Sequence, residues 1–254
     1  MKGLIWIPIV ILYILFFLFA VGLLLCSFYA RYSKRRSSVN IDQSTLNKAN
    51  RVDMENGHMR TESVQAMKRS KIRSVAKAIN LYLYGLCRYY SILIGRLPSQ
   101  RVRNFLMRTV FRMDISPKAV LYGGFEIRSP WNIHIGKSVI GVGALLDGRS
   151  GIRIEDRVCL AQNVKLFTLQ HDVNNPHFAA VGGRITLEEY SWISSGTTVL
   201  PGVTVKKGAV LASGAIATKN LDEYGVYAGI PARKISERNH ELDYETCHAY
   251  WHFY

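Results

Sequence analysis

Leu187, Ile193, Val199, Val205, Leu211 and Ala217 stand six residues apart without a break. The same step joins Ile154, Leu160 and Leu166, and upstream it joins Ile115, Leu121, Ile127, Ile133 and Val139. Small residues often follow the apolar one: Gly136 after Ile135, Gly141 after Ile140, Ala161 after Leu160, Ser194 after Ile193. Such a period describes one short flat strand and one turn per unit, with three units making a triangular coil. The apolar residue points into the prism, and the small one sits where a corner cannot hold bulk. One coil cannot bury its own interior, so coils must stack. An α/β fold would need helices between the strands, and residues 115–235 contain no helical stretch of useful length. The pattern predicts a mainly β fold, a parallel β-helix of hexapeptide repeats over residues 113–235. Gly202, Gly208 and Gly214, also six apart, fit corners that side chains would obstruct, and Pro201 fits a turn.

The period breaks twice. Between Leu146 and Ile154 the phase slips, and Gly148 and Gly151 suggest a widened turn. After Leu166 comes Phe167-Thr168-Leu169-Gln170-His171-Asp172-Val173-Asn174-Asn175-Pro176-His177, and the period resumes near Leu187. This reads as a loop extruded from a rigid scaffold and carrying a histidine. Reactive groups are commonly presented on loops of this kind.

Upstream of the repeats, the chain changes character. No charged residue occurs from Gly3 to Ala30, a stretch long enough to span a bilayer. A cleaved signal peptide fits less well, because its basic region would shrink to Lys2 and its apolar core would be too long. Arg31, Lys34, Arg35 and Arg36 follow at once, which by the positive-inside rule keeps the remainder of the chain cytoplasmic. Residues 1–30 are therefore expected to be a single-pass anchor and 31–71 a basic flexible linker. From residue 31 to 73 there are eleven Lys or Arg against four Asp or Glu. This basic stretch can meet anionic lipid, and with the anchor it accounts for the formal net charge of +15. No motif points to nucleic acid.

Ile72, Ala76, Ile79, Leu83, Leu86, Tyr90 and Leu93 mark one face of a helix. Pro98 ends it, and a shorter helix follows over 101–111, so 72–112 forms a helical segment. The tail, 236–254, is expected to pack on the outside of the prism. Its His240, His248 and His252 stand among aromatic residues without a clear carboxylate or thiol constellation. Cys26, Cys87, Cys159 and Cys247 form no CxxC pair, which fits a reducing compartment.

Several segments together carry a family resemblance: GFEIRSPWNIHIG at 124–136, LLDGRSGIRI at 145–154, QHDVNNPHF at 170–178, YSWISSGTTVLPGVTVKKGAVLASGAIATKN at 190–220 and YAGIPARKI at 227–235. In this combination and order the region resembles the hexapeptide-repeat (left-handed β-helix) acyltransferases of the maltose/galactoside/nodulation type. It is most similar to the colanic-acid and capsular-polysaccharide O-acetyltransferases. The resemblance implies a left-handed coil, homotrimers with an acetyl-CoA cleft between neighbouring prisms, a glycan acceptor and no required metal. Together with the anchor, it implies a cytoplasmic domain at the inner membrane, working in capsule or exopolysaccharide assembly.

Acetyl transfer to a sugar hydroxyl needs that hydroxyl deprotonated as it attacks, and an imidazole suits the role near neutral pH. His171 stands where the family places its histidine. Asp172 could orient it or bind acceptor hydroxyls, and Asp147 lies near a family position for acceptor binding. Arg149 either binds an anionic acceptor or caps a turn. An amide in the turn Trp192-Ile193-Ser194-Ser195, where Ser194 replaces the family's usual glycine, is the candidate oxyanion donor. By the same carry-over, Ser195 and Ser213 line the pantetheine arm. Thr218, Lys219 and Arg233 meet the nucleotide end, where phosphate charge suits cations. Trp192 either stacks on the coenzyme or packs against the protein. Two rivals stay open: an inactive membrane-tethered scaffold, and a gamma-class carbonic anhydrase using His134, His171 and His177 as zinc ligands. The second fits poorly, because five residues separate His171 from His177 where that family has four.

Overall fold

The computed structural model describes residues 6–49 and 63–246, with side chains for 9–37 and 73–246. His248, His252 and Cys247 lie outside the described residues. The chain divides into two compact units, Met1–Cys87 and Arg88–Tyr254.

The first unit is a pair of helices. Helix α1 runs Trp6–Ala49, and α2 begins at Ser63 and continues to Gly95. Within α1, Ile9–Ser37 is long and apolar enough to cross a membrane. All ten residues from Ile9 to Leu18 are exposed apolar side chains, so every side of its early turns is uncovered, a pattern that suits hydrocarbon better than water. Farther along, Cys26, Tyr29 and Ala30 are buried. The Tyr29 hydroxyl donates to Asn80 Oδ1 at 3.0 Å, and the Cys87 sulfur lies 4.0 Å from the Cys26 carbonyl oxygen. Part of the segment read as a flexible linker is helical. Residues 31–49 contain neither glycine nor proline and include five helix-tolerant Lys or Arg, so α1 runs on past the apolar stretch. Residues 50–62 lie outside the described residues.

In the second unit the last turns of α2 turn Tyr90, Ser91 and Ile94 inward. The face expected from the apolar spacing is displaced: Ile79 is exposed, and Ile94 rather than Leu93 is fully buried. The reason is polar. Ser91 Oγ donates to the Ile127 carbonyl at 2.9 Å, so a serine that an apolar count passes over faces the solenoid. Helix α3, Gln100–Thr109, starts at the Ser99 N-cap and lies over the open first coil. Arg103, Met107 and Phe111 are wholly buried there. Arg103 donates to the carbonyls of Leu97 and Leu121, and the Asn104 amide donates to Ala119 at 3.0 Å. Burial pulls the Arg103 pKa down, and the carbonyls compensate the charge. A solenoid end needs such a cap, because its last interior has no further coil above it.

The body is a parallel β-solenoid whose three faces carry five, seven and five strands, beside a separate two-stranded hairpin. Stacking is in register: Ile135 pairs with Ile154, Ile154 with Leu187, and Leu187 with Val205. Leu166, Leu187, Ile193, Val199, Val205 and Leu211 are 0% exposed. Each contributes about 1.5–3 kcal/mol at most for its burial.

One expected interior residue is wrong by one position. Val139 is half-buried, and Ile140 takes the inner place at 0% exposure. The first face explains the slip. Its strands Ile133–Ile135, Ile152–Ile154 and Ile185–Leu187 each bury both end residues and show the middle one outward. Two inner residues therefore stand two apart on that face, and the strict six-residue count drifts. At the corners, Gly208 and Gly214 have φ of 68° and 72°, in the left-handed region.

Strands Gly225–Ala228 and Arg233–Glu237 pair antiparallel and finish the seven-stranded face. The tail then turns back along the outside. Arg238 donates to the carbonyls of Tyr190 and Gly208 at 3.2 and 3.3 Å. Glu245 pairs with Lys137 and, at 3.2 Å, with Arg157.

Candidate active site

The extruded loop is an antiparallel hairpin, Leu169–His171 against Ala180–Gly182, with His171 opposite Ala180. Its tip is held by its own polar groups. Asp172 Oδ1 accepts from the Asn174 amide at 2.9 Å, and Asn175 Oδ1 accepts from the His177 amide at 2.9 Å. The Asp172 and Phe178 amides donate to the carbonyls of Ala179 and Asn175, both at 2.9 Å. The Asp172 carboxylate thus serves an Asx turn that shapes the loop. That places it in the support of His171, with one oxygen already engaged.

His171 is exposed, and its Nδ1 lies 2.7 Å from the Phe178 carbonyl oxygen. The Phe178 ring stacks on the imidazole with centroids 3.9 Å apart and planes 9° apart. A carbonyl oxygen can only accept, so Nδ1 carries the proton and donates it. In the neutral ring, Nε2 is then the atom with the free lone pair. Sequence reading did not single out Phe178. Its signal was the hairpin itself, which folds residue 178 back onto 171.

The hairpin is bolted to the coils at its foot. A Cβ on Gly182 would lie 2.4 Å from the Thr168 carbonyl and 2.6 Å from Ser150 Oγ, so no side chain fits. Thr168 is fully buried; its Oγ1 accepts from the Ser150 amide at 2.9 Å and donates to the Asp147 carbonyl. Ser150 belongs to the 3-10 turn Gly148–Ser150, the widened turn at the first phase slip. Asp147, expected at the acceptor, is 0% exposed. Its two oxygens accept from Arg149 Nε and Nη2 at 2.8 and 2.7 Å. A carboxylate so enclosed cannot meet an acceptor directly; it orients Arg149, which sits beside the hairpin foot and is partly exposed.

The residues expected to hold the coenzyme fall on one column and one end of the solenoid. The Asn163 amide donates to Val142 O, Gly196 to Gln162 O and Gly214 to Ser195 O, at 2.8–3.0 Å. These bonds stack Val142, Gln162, Ser195 and Ser213 at successive levels of one corner, and both serines are exposed. A cleft of about 600 Å³ lies along the lower part of this column, bounded by Tyr122, Val142, Cys159, Gln162 and Ser195. At the other end, the Ala232 amide donates to Ile216 O at 2.8 Å. That bond brings the segment holding Arg233 against the strand that leads to Thr218 and Lys219, and all three residues are exposed. Trp192 is 44% exposed on the outer surface, so it is not packed inside. In the candidate oxyanion turn, the Ser194 amide already donates to Leu211 O at 2.9 Å and Gly196 to Gln162 O. Among the described residues the Ser195 amide has no such backbone partner.

The zinc reading finds no support in the donor set. Among the described residues no group of three or more His, Cys, Asp or Glu could hold a metal ion. His134 lies on the first face, with Nδ1 2.8 Å from Asp114 Oδ2.

No protein-family model matches the sequence. Curated relatives do. The "Putative colanic acid biosynthesis acetyltransferase WcaF" of Escherichia coli is 30% identical over 139 residues, covering 54% of this chain and 76% of the relative. The galactoside O-acetyltransferase of Escherichia coli is 33% identical over 114 residues, covering 42% of this chain and 55% of the relative. Among solved structures, a hexapeptide-repeat acetyltransferase of Vibrio cholerae complexed with acetyl-CoA aligns with TM-score 0.57 at 20% identity. The alignment covers 64% of this chain and 90% of that one, and it establishes the likeness of fold.

Proposed function

Because the chain belongs to the hexapeptide-repeat acetyltransferases, we propose that it moves the acetyl group of acetyl-CoA to a sugar hydroxyl with His171 as general base. The observation that carries this reading is the 2.7 Å contact between His171 Nδ1 and the Phe178 carbonyl. It commits one ring nitrogen to a fixed donor role and leaves Nε2 to take a proton, the arrangement a general base needs.

Acetyl-CoA supplies an activated thioester carbonyl. His171 Nε2 takes the proton of the acceptor hydroxyl as its oxygen attacks that carbonyl, and returns the proton to the departing sulfur as the C–S bond breaks. The Ser195 amide meets the charge developing on the carbonyl oxygen. Ser195 and Ser213 line the pantetheine arm, with Trp192 beside them on the outer surface. Thr218, Lys219 and Arg233 meet the nucleotide end, where two exposed cations face phosphate charge. Arg149, aimed by Asp147, lies on the acceptor side, and Asp172 keeps the loop in shape.

The coils assemble as a homotrimer, with clefts completed between neighbours. Helix α1 anchors the chain in the inner membrane with the solenoid on the cytoplasmic side, where a lipid-linked or nucleotide-linked glycan of capsule or exopolysaccharide assembly is the acceptor.

The test is thiol release from acetyl-CoA by the full chain in detergent micelles, across a panel of glycan acceptors, with wild type beside His171→Ala. The expected result is acceptor-dependent release that falls at least about a hundredfold in the variant. Equal release from both proteins removes His171 from the mechanism, and no release with any acceptor from a protein that binds coenzyme A removes the glycan.

A further inference from the structure

Acetyl transfer as described leaves one cation of the hairpin unused. Arg184 lies two residues beyond the hairpin's second strand, Ala180–Gly182, and is exposed. The coil beneath fixes its position. Ile185 pairs with Ile152 in the parallel face, and the Ile185 amide donates to the Gly151 carbonyl at 3.2 Å. Arg184 thereby lies across Gly151: a Cβ on that glycine would stand 3.2 Å from Arg184 Nε and 3.8 Å from its Cγ. Gly151 has φ of 94°, in the region that favours glycine, so the turn stays low under the guanidinium.

Arg184 and His171 are related by the hairpin's own alternation. Side chains alternate along a strand, so Leu169 and His171 point to one face together with their partners Gly182 and Ala180. At the foot, that face looks onto the turn Gly148–Ser150, because a Cβ on Gly182 would meet Ser150 Oγ at 2.6 Å. His171 stands one pair farther out on the same face. Arg149 precedes Ser150 in the turn, and Arg184 lies over Gly151 just after it. Two guanidinium groups therefore mark the inner end of the face whose outer end carries the imidazole. The four residues from Ala180 to Arg184 span at most about 14 Å of chain, within the length of a sugar joined to a diphosphate or to a second sugar.

The two arginines differ in charge available. Asp147 accepts from Arg149 Nε and Nη2 at 2.8 and 2.7 Å, which compensates that guanidinium in place. Arg184 has no hydrogen bond or ion pair among the described residues. Asp172, the acid of the hairpin, is held at the tip, where it accepts from the Asn174 amide. A planar fork without an anion of its own, set at the inner end of the catalytic face, suits the paired oxygens of a phosphate or carboxylate.

We infer that Arg184 binds an anionic group of the acceptor, a phosphate or a carboxylate adjoining the sugar whose hydroxyl His171 deprotonates. The inference rests on the reading of His171 as general base and of a sugar as acceptor. Both residues belong to one hairpin and its exit, so a single chain sets their spacing.

The test measures thiol release from acetyl-CoA by the full chain in detergent micelles. Each sugar of the acceptor panel is offered as its methyl glycoside, its 1-phosphate and its methyl uronide. Wild type is compared with Arg184→Gln, Arg184→Lys and a control at another exposed cation, Lys118→Gln. The expected result is a kcat/KM for an anionic form at least about tenfold above that for the methyl glycoside in wild type and control. Arg184→Gln should abolish that preference through KM for the acceptor, and Arg184→Lys should restore part of it. Release with the neutral glycoside and KM for acetyl-CoA should stay unchanged in all variants. Preference for the 1-phosphates identifies a phosphate-linked acceptor, and preference for the uronides identifies an acidic sugar. A raised KM for acetyl-CoA in Arg184→Gln would assign the residue to the coenzyme and overturn the inference. Equal loss of preference in Lys118→Gln would mean general charge attraction and would overturn it too. Neutral and anionic forms used equally by wild type would defeat the anionic subsite alone. No acetylation of any form would defeat the sugar reading and the inference with it.

Discussion

The coils and the hairpin of the second unit are built on opposite principles. In the coils, stability and position come from apolar residues stacked in register, with 0% exposure at Ile135, Ile154, Leu187 and their neighbours. In the hairpin, Val173 is 88% and Phe178 65% exposed, and shape comes from Asx turns and backbone bonds. A rigid interior tolerates no change of volume but does no chemistry. The polar loop buries little, yet it fixes the orientation of one imidazole. The two meet at Gly182, Thr168 and Ser150, where contact is so close that glycine alone fits.

This division predicts that stability and activity can be separated. The largest expected effect on stability is from Ile154→Ala in the interior of the first face. It should cost about 2–5 kcal/mol, measured by denaturant unfolding, while kcat per folded molecule stays within about twofold. A large fall in kcat with little loss of stability would erase the distinction between scaffold and loop.

Gly182→Ala tests the junction. The added methyl meets the Thr168 carbonyl, so the hairpin must shift relative to the coils. kcat should fall by about tenfold or more, since small misplacements of a catalytic group are costly. The thermal midpoint should move less than in Ile154→Ala. An unchanged kcat would mean that the hairpin is not held by its foot.

The smallest effect concerns the first coil and pH. Burial acts to raise the Glu126 pKa, but Arg128 and Arg88 outweigh it and hold the carboxyl below its ordinary value of 4.5. A group depressed in the folded state contributes stability that is complete above the unfolded value and is lost as pH falls through the folded one. Acidification below about pH 4.5 should therefore loosen the end of α2 from the strand Glu126–Arg128, seen as faster amide exchange at Ser91 and Ile127. Glu126→Gln should exchange faster already at neutral pH and show less added effect of acid. Equal acid sensitivity in both proteins would remove Glu126 from this contact.

The same comparison explains what could be read from sequence. The coils announce themselves because each inner residue repeats a constraint, so Leu187 to Ala217 locate the fold from spacing alone. The drift at Val139 arose because one face buries two residues per strand, a detail of chain path that a fixed step cannot carry. The location of His171 at the mouth of an extruded loop was legible from the break in the period. Phe178 was not, because its role lies in a carbonyl and a ring position, neither of which residue type reveals. Asp147 misled for a related reason: a carboxylate in a motif looks available until the bidentate contact from Arg149 is seen. In the first unit, apolar length showed where a membrane could be crossed, but the continuation of α1 to Ala49 depends on backbone propensity, which charge composition hides.

The proton on His171 is the point on which the account turns. Nitrogen-15 NMR of histidine-labelled protein at pH 8, assigned with His171→Gln, reads which ring nitrogen carries it. The account predicts a neutral imidazole protonated at Nδ1 with Nε2 free, as the Phe178 carbonyl requires. A ring protonated at Nε2 would contradict it, because the nitrogen left to accept a proton would then be the one facing Phe178.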